Sequence, residues 1–147
     1  MFSELPLHNC LQKSLAKLGL EEPTEVQLRG IPLALEGKDL LISAETGSGK
    51  TAAYLLPMLH RFLELDAPKS ATRGLVLLPT RELARQVFKH FTLLAEFSQL
   101  KAGLITGGED FKYQRSLIRK NPELIIATPG RLLEHLSHNN IDLSDLE

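Results

Sequence analysis

Eight consecutive residues carry the most specific chemistry in the chain: Ala44, Glu45, Thr46, Gly47, Ser48, Gly49, Lys50 and Thr51. They follow the apolar run Leu40-Leu41-Ile42, and a segment of helical spacing begins directly behind them. Glycines in such a turn let backbone N–H groups converge on phosphate oxygens, and the next helix adds its positive end. Lys50 is placed to bridge the β- and γ-phosphates of a nucleotide, and the Thr51 hydroxyl to ligate Mg2+. The octet is therefore a candidate cofactor site, with Lys50 and Thr51 as candidate catalytic residues and Thr51 as the candidate metal ligand. A Gly/Ser-rich turn that merely joins a strand to a helix is the competing explanation, and the strand and helix context weighs against it.

The elements that must position this loop can be read from periodicity. Leu7, Leu11, Leu15 and Leu18 recur at helical spacing and Gly19 can close that helix. Thr24, after Pro23, can cap a second helix with Leu28, Ile31 and Leu35 on one face. Four apolar runs without polar alternation follow: Leu40–Ile42, Leu75–Leu78, Leu104-Ile105 and Leu124–Ile126. Such runs predict strands covered on both faces. Between them lie helix-period stretches, Ala52, Leu55, Leu59, Phe62 and then Leu83, Val87, Phe91, Leu94. Strand and helix alternate, which predicts an α/β fold with a mostly parallel sheet flanked by helices and ligands at the carboxyl ends of the strands.

A length of 147 residues with 43% apolar content suits one domain with a single core. Lys plus Arg number 17 against 18 Asp plus Glu, so any nucleic-acid site must be local, not a property of the whole surface. Cys10 is the lone cysteine, consistent with a reducing cytoplasm, and no apolar run approaches a membrane span. Asp66 to Arg73, rich in polar residues and with one Pro, is expected to form a surface loop.

Further segments narrow the class. Phe2, then Gly19, Pro23-Thr24 and Gln27 resemble the Q motif of the DEAD-box ATP-dependent RNA helicases, placed upstream of the phosphate loop as in that family. A Gln amide carries an acceptor beside a donor, so Gln27 can match the N6 and N7 groups of adenine. Leu20 stands where the family often has an aromatic residue. Pro79-Thr80-Arg81-Glu82-Leu83-Ala84-Arg85-Gln86 resembles motif Ia, Gly107-Gly108 the glycine doublet, and Thr128-Pro129-Gly130-Arg131 motif Ib.

The resemblance implies a RecA-like P-loop domain over 1–147, with its Q motif at 2–27, incomplete at the C-terminal side before the acidic DEAD strand. It implies ATP and Mg2+ as cofactors, with Phe2 stacking on the purine and Thr24 beside Gln27. RNA would meet Thr80, Arg81, Gly107, Gly108, Thr128, Gly130 and Arg131 through phosphate and sugar contacts that leave bases unread. ATP-driven RNA unwinding or remodelling is the activity implied for the intact protein. The chain alone is expected to bind nucleotide weakly without hydrolysing it above background, and to cover an open sheet slot by strand swapping, by pairing with a neighbouring copy or by distortion of its last segments. Asp142 and Asp145 are expected to be capping or solvated loop charges. A P-loop kinase or GTPase-like switch, and a non-catalytic RNA- or partner-binding module, are the competing functions.

Overall fold

The structure, a computed structural model, describes residues 1–65 and 71–147. They fall into two compact units, one from Met1–Asp66 and His90–Gln99, the other from Ala67–Lys89 and Leu100–Glu147.

The first unit opens with a 3-10 turn at Phe2–Glu4, followed by α1 (Asn9–Lys17), α2 (Glu25–Leu35) and α3 (Lys50–Glu64). His8 caps α1 by accepting from the Cys10 N–H at 3.1 Å, and Leu11 and Leu15 are buried as their spacing predicts. Leu7 is also buried but precedes the helix. Thr24 caps α2 in a reciprocal capping box with Gln27, and α2 continues through Pro32. Its buried face is Gln27, Gly30 and Ile31; Leu28, placed on that face by its spacing, is exposed. In α3 the predicted stripe Ala52, Leu55, Leu59 and Phe62 is buried throughout.

The run Leu40–Ile42 forms no strand, and Leu41 is fully exposed at 101%. A strand exists only through its ladder, and no described residue pairs with this run. The predicted coverage on both faces is therefore corrected here: Leu41 stands open, while Leu40 and Ile42 are partly covered and Ile42 lies close to Gly30 of α2.

The second unit holds the sheet. Strands β1 (Gly74–Leu77), β2 (Ala102–Ile105) and β3 (Leu124–Ala127) are all parallel, in the order β1-β3-β2, with Leu75 and Gly103 both in register with Ile125. Only the central strand β3 is buried at every position; the two outer strands alternate, so the expectation of full coverage holds for one strand of the three. Helix α4 (Arg81–Leu94) follows β1, α5 (Phe111–Arg119) follows β2, and α6 (Pro129–Ser137) follows β3. Along α4, whose residues from His90 on belong to the first unit, Ala84 and Val87 are buried in the second unit and Phe91 and Leu94 in the first, while Leu83, predicted to join them, is exposed. Ile105, Ile118, Ile125, Leu132 and Ile141 form the core under the sheet.

The loop predicted over Asp66 to Arg73 lies outside the described residues up to position 70. Its last three residues are buried, not superficial: the Arg73 N–H donates to the Glu123 carbonyl at 2.9 Å and its guanidinium pairs with Glu147. The Ser144 hydroxyl, and then the Ser144 N–H that donates to Asp142 at 2.9 Å, lower the pKa of Asp142, and Asp145 is exposed, in line with capping and solvated roles.

Candidate functional site

The phosphate loop sits between an extended segment and the N-terminus of α3. Gly47 and Gly49 take the left-handed conformation at φ +82° and +88°, and Gly49 is the N-cap of α3. The Ser48 N–H closes the turn onto the Glu45 carbonyl at 3.2 Å. Lys50 Nζ donates to the Ala44 carbonyl, and the Thr51 side chain hydrogen-bonds Tyr54, whose pKa is nevertheless raised because burial outweighs that bond. Ser48 Oγ is buried with no hydrogen-bond partner among the described residues. A 360 Å³ cavity lined by Thr24, Glu25, Arg29, Ala44, Glu45 and Ser48 lies beside the loop.

Gln27 reaches this loop. Its Oε1 accepts the Thr24 N–H at 2.9 Å and its Nε2 donates to the Gly49 carbonyl at 3.2 Å. An amide has two donors and two lone pairs, so one of each remains. Only 6% of Gln27 is exposed, and a Cβ on Gly49 would stand 2.4 Å from its Nε2 and 2.9 Å from Thr24 Oγ1. Phe2 is 3% exposed, so the ring expected to stack on a purine is packed against protein. Its carbonyl accepts from Gln12 Nε2 at 2.9 Å and its N–H donates to Glu21 at 2.8 Å.

In the second unit the parallel strands end together. The Leu78 N–H donates to Ala127 at 3.0 Å and the Thr128 N–H to Ile105 at 3.1 Å, which aligns the turns after β1, β2 and β3 on one edge. Thr80 Oγ1 caps α4 by accepting the Leu83 N–H at 3.2 Å, and Arg81 Nη1 donates to the Gly107 carbonyl at 3.3 Å. Gly108, at φ +84°, leaves room for that guanidinium: a Cβ there would meet Arg81 Nη1 at 2.2 Å. Arg131 Nη1 donates to the Glu109 carbonyl at 2.8 Å and to Gln114 Oε1 at 3.0 Å, and its guanidinium lies 5.6 Å from the Phe111 ring centroid. Thr80, Arg81, Gly107, Gly108, Thr128, Gly130 and Arg131 therefore share one edge, with only 13% of the Arg131 side chain exposed.

Residues 24–147 match the DEAD/DEAH box helicase family model. The chain belongs to the DEAD/DEAH box helicase family. It is 52% identical to a "Probable ATP-dependent RNA helicase ddx27" of Dictyostelium discoideum over 99% of this chain and 19% of that protein. It is 40% identical to ATP-dependent RNA helicase CshA of Listeria monocytogenes over 99% of this chain and 28% of that protein. A crystal structure of a hypothetical ATP-dependent RNA helicase from Sulfolobus tokodaii superposes with a TM-score of 0.83 at 38% identity, covering 95% of this chain and 39% of that one. The chain thus spans less than a third of the two relatives' length, and the fold is the helicase RecA-like one.

Within the helicase family frame, the first unit gathers the Q-motif pair Thr24 and Gln27 with the phosphate loop, and the second gathers the motif Ia, glycine-doublet and motif Ib residues. Sequence reasoning missed Gln114 and His135. Gln114 is 1% exposed, His135 is fully buried, and they are joined at 2.9 Å. Burial lowers the pKa of His135, and the neighbouring Arg131 guanidinium lowers it further. The available signal was α5 itself, a 9-residue amphipathic helix capped by Asp110, in which polar Gln114 shares the inward face with Ile118. A larger cavity, 490 Å³, lies at the amino ends of the strands beside Thr72, Asn121 and Asn139, away from the edge where α/β ligands bind. Among the described residues no helix is long and apolar enough to cross a membrane.

Proposed function

We propose that this chain is the nucleotide-binding part of an ATP-dependent RNA helicase, which in the intact protein couples ATP hydrolysis to local RNA unwinding or remodelling. The contact from Gln27 Nε2 to the Gly49 carbonyl carries the reading, because it brings an adenine-matching amide onto the phosphate loop. A kinase or GTPase-like switch has no use for that amide. The partnerless Ser48 hydroxyl, the two left-handed glycines and Lys50 fit a phosphate, to which Lys50 would turn from the Ala44 carbonyl. Thr51 would be one ligand to Mg2+, a cation that commonly completes its shell with phosphate and water. Phosphoryl transfer needs a water-orienting group and charge stabilisation beyond a phosphate cradle, so these residues by themselves would bind nucleotide and hydrolyse it no faster than background. Stacking by Phe2 would require its ring to leave its packed position.

RNA would lie along the edge of the second unit, held by Thr80, Arg81 and the glycine turns through phosphate and sugar. The open run Leu40–Ile42 would pair with the same run or an edge strand of a second copy. The single free cysteine, Cys10, suits the cytoplasm. Thermal unfolding with ADP and with GDP tests the nucleotide reading. ADP is expected to raise the midpoint more than GDP does; equal shifts, or none, would overturn it.

A further inference from the structure

We propose that Gln114 is a positioning residue for the RNA-facing edge: its single buried amide locks the turn after β2 to the start of α6. The proposal rests on the RNA reading of that edge. Gln114 Nε2 donates to the Thr106 carbonyl at 2.7 Å, immediately before Gly107-Gly108. Its Oε1 accepts from Arg131 Nη1 at 3.0 Å and from His135 Nε2 at 2.9 Å. The partners fix the orientation, because a carbonyl can only accept and a guanidinium can only donate. His135 must then carry its proton on Nε2, which leaves Nδ1 to accept from Asn140 Nδ2 at 3.0 Å. One neutral tautomer satisfies the whole chain of contacts. The His135 ring stacks on Phe111 at 4.2 Å and 4°, and Phe111 also faces the Arg131 guanidinium.

A leucine or methionine would fill the same core position, so packing alone does not explain an amide there. Burying one is unfavourable unless each polar atom is paired, and here both are. What the amide adds is connection between segments that are distant in sequence, 106, 131 and 135. Gln114 is too buried to touch RNA, so it acts through Arg131 and the glycine turn.

Binding of the chain to a fluorescent oligo(U) strand, measured by anisotropy across a salt series, tests this. Gln114→Met is expected to weaken binding about tenfold, the loss of one charge-assisted contact, with the salt slope unchanged because no charge is removed. In the double variant with Arg131→Ala, the added loss should be well below the product of the single effects. Nitrogen NMR of the unmutated chain should show His135 as the Nε2–H tautomer. Wild-type affinity in Gln114→Met, fully multiplicative losses, or the Nδ1–H tautomer would each overturn the proposal. Failure of the unmutated chain to bind oligo(U) would instead refute the RNA reading itself, and this inference with it.

Discussion

Gly49→Ala is the most direct probe of the junction between the adenine amide and the phosphate loop. The new Cβ would stand 2.4 Å from Gln27 Nε2 and 2.9 Å from Thr24 Oγ1, in a backbone at φ +88°. The left-handed conformation costs a non-glycine residue about 1–2 kcal/mol. Displacing Gln27 also removes its bond to the Gly49 carbonyl and strains the α2 capping box, roughly another 1–2 kcal/mol. The total of about 2–4 kcal/mol corresponds to a fall of roughly 6–12 °C in Tm for a chain of this size. Gly47→Ala is the internal control: φ is +82° but nothing lies within 4 Å of its Cβ, so only the backbone cost, about 1–2 kcal/mol, applies. Calorimetry with and without ADP reads both effects. Gly49→Ala should unfold below Gly47→Ala and lose most of its ADP-induced shift. Equal midpoints for the two variants, or an undiminished ADP shift in Gly49→Ala, would refute the steric coupling between Gly49 and Gln27.

Two other expectations follow from the geometry. Burial holds the pKa of His135 below its ordinary 6.5, so the unfolded chain binds that proton more readily than the folded one. The stability is therefore full above 6.5 and is lost as pH falls from there through the folded value; the urea midpoint should drop as pH falls below 6.5, by less in His135→Phe, and an equal drop in both proteins would count against the neutral buried imidazole. Leu41 is fully exposed in an unpaired extended run, so light scattering should find the chain self-associated at tens of micromolar and Leu41→Lys shifted to monomer, whereas a monomeric parent would refute pairing through that segment.

The local signals in the sequence were sufficient where structure is decided locally. The glycines before Lys50 predict a turn that opens a helix, Thr24 predicts a cap on the second helix, and both form, the first with Gly49 left-handed and the second as a capping box with Gln27. Three of four apolar runs become strands. Leu40–Ile42 does not, because its pattern records an affinity for pairing while the pair itself is non-local. Leu28 and Leu83 show a finer limit. Leucines three and four apart define a stripe whose later members, Ile31 in α2 and Val87, Phe91 and Leu94 in α4, are buried, but in the first turn the position one residue away, Gln27 or Ala84, is the one that turns inward. Polar and small residues at those inward positions carry no hydrophobic signal, and the polar ones are bound to the functional loops.

Each unit pins its candidate ligand-binding turn with a buried carboxamide, Gln27 against Gly49 and Gln114 against Thr106. A carboxamide donates and accepts at once, so it can tie a backbone carbonyl to a second segment while remaining uncharged. A buried carboxylate in either place would repel both that carbonyl and an incoming phosphate, and a buried ammonium would lose the accepting half of the tie and compete with Lys50 or Arg81 for the same anion. Neutral ties therefore leave the electrostatic work to the cations at the surface of each loop. On this reasoning, Gln→Glu at either position should damage ligand binding more than its near-identical shape suggests, and more severely at Gln27, whose amide lies against the phosphate loop itself.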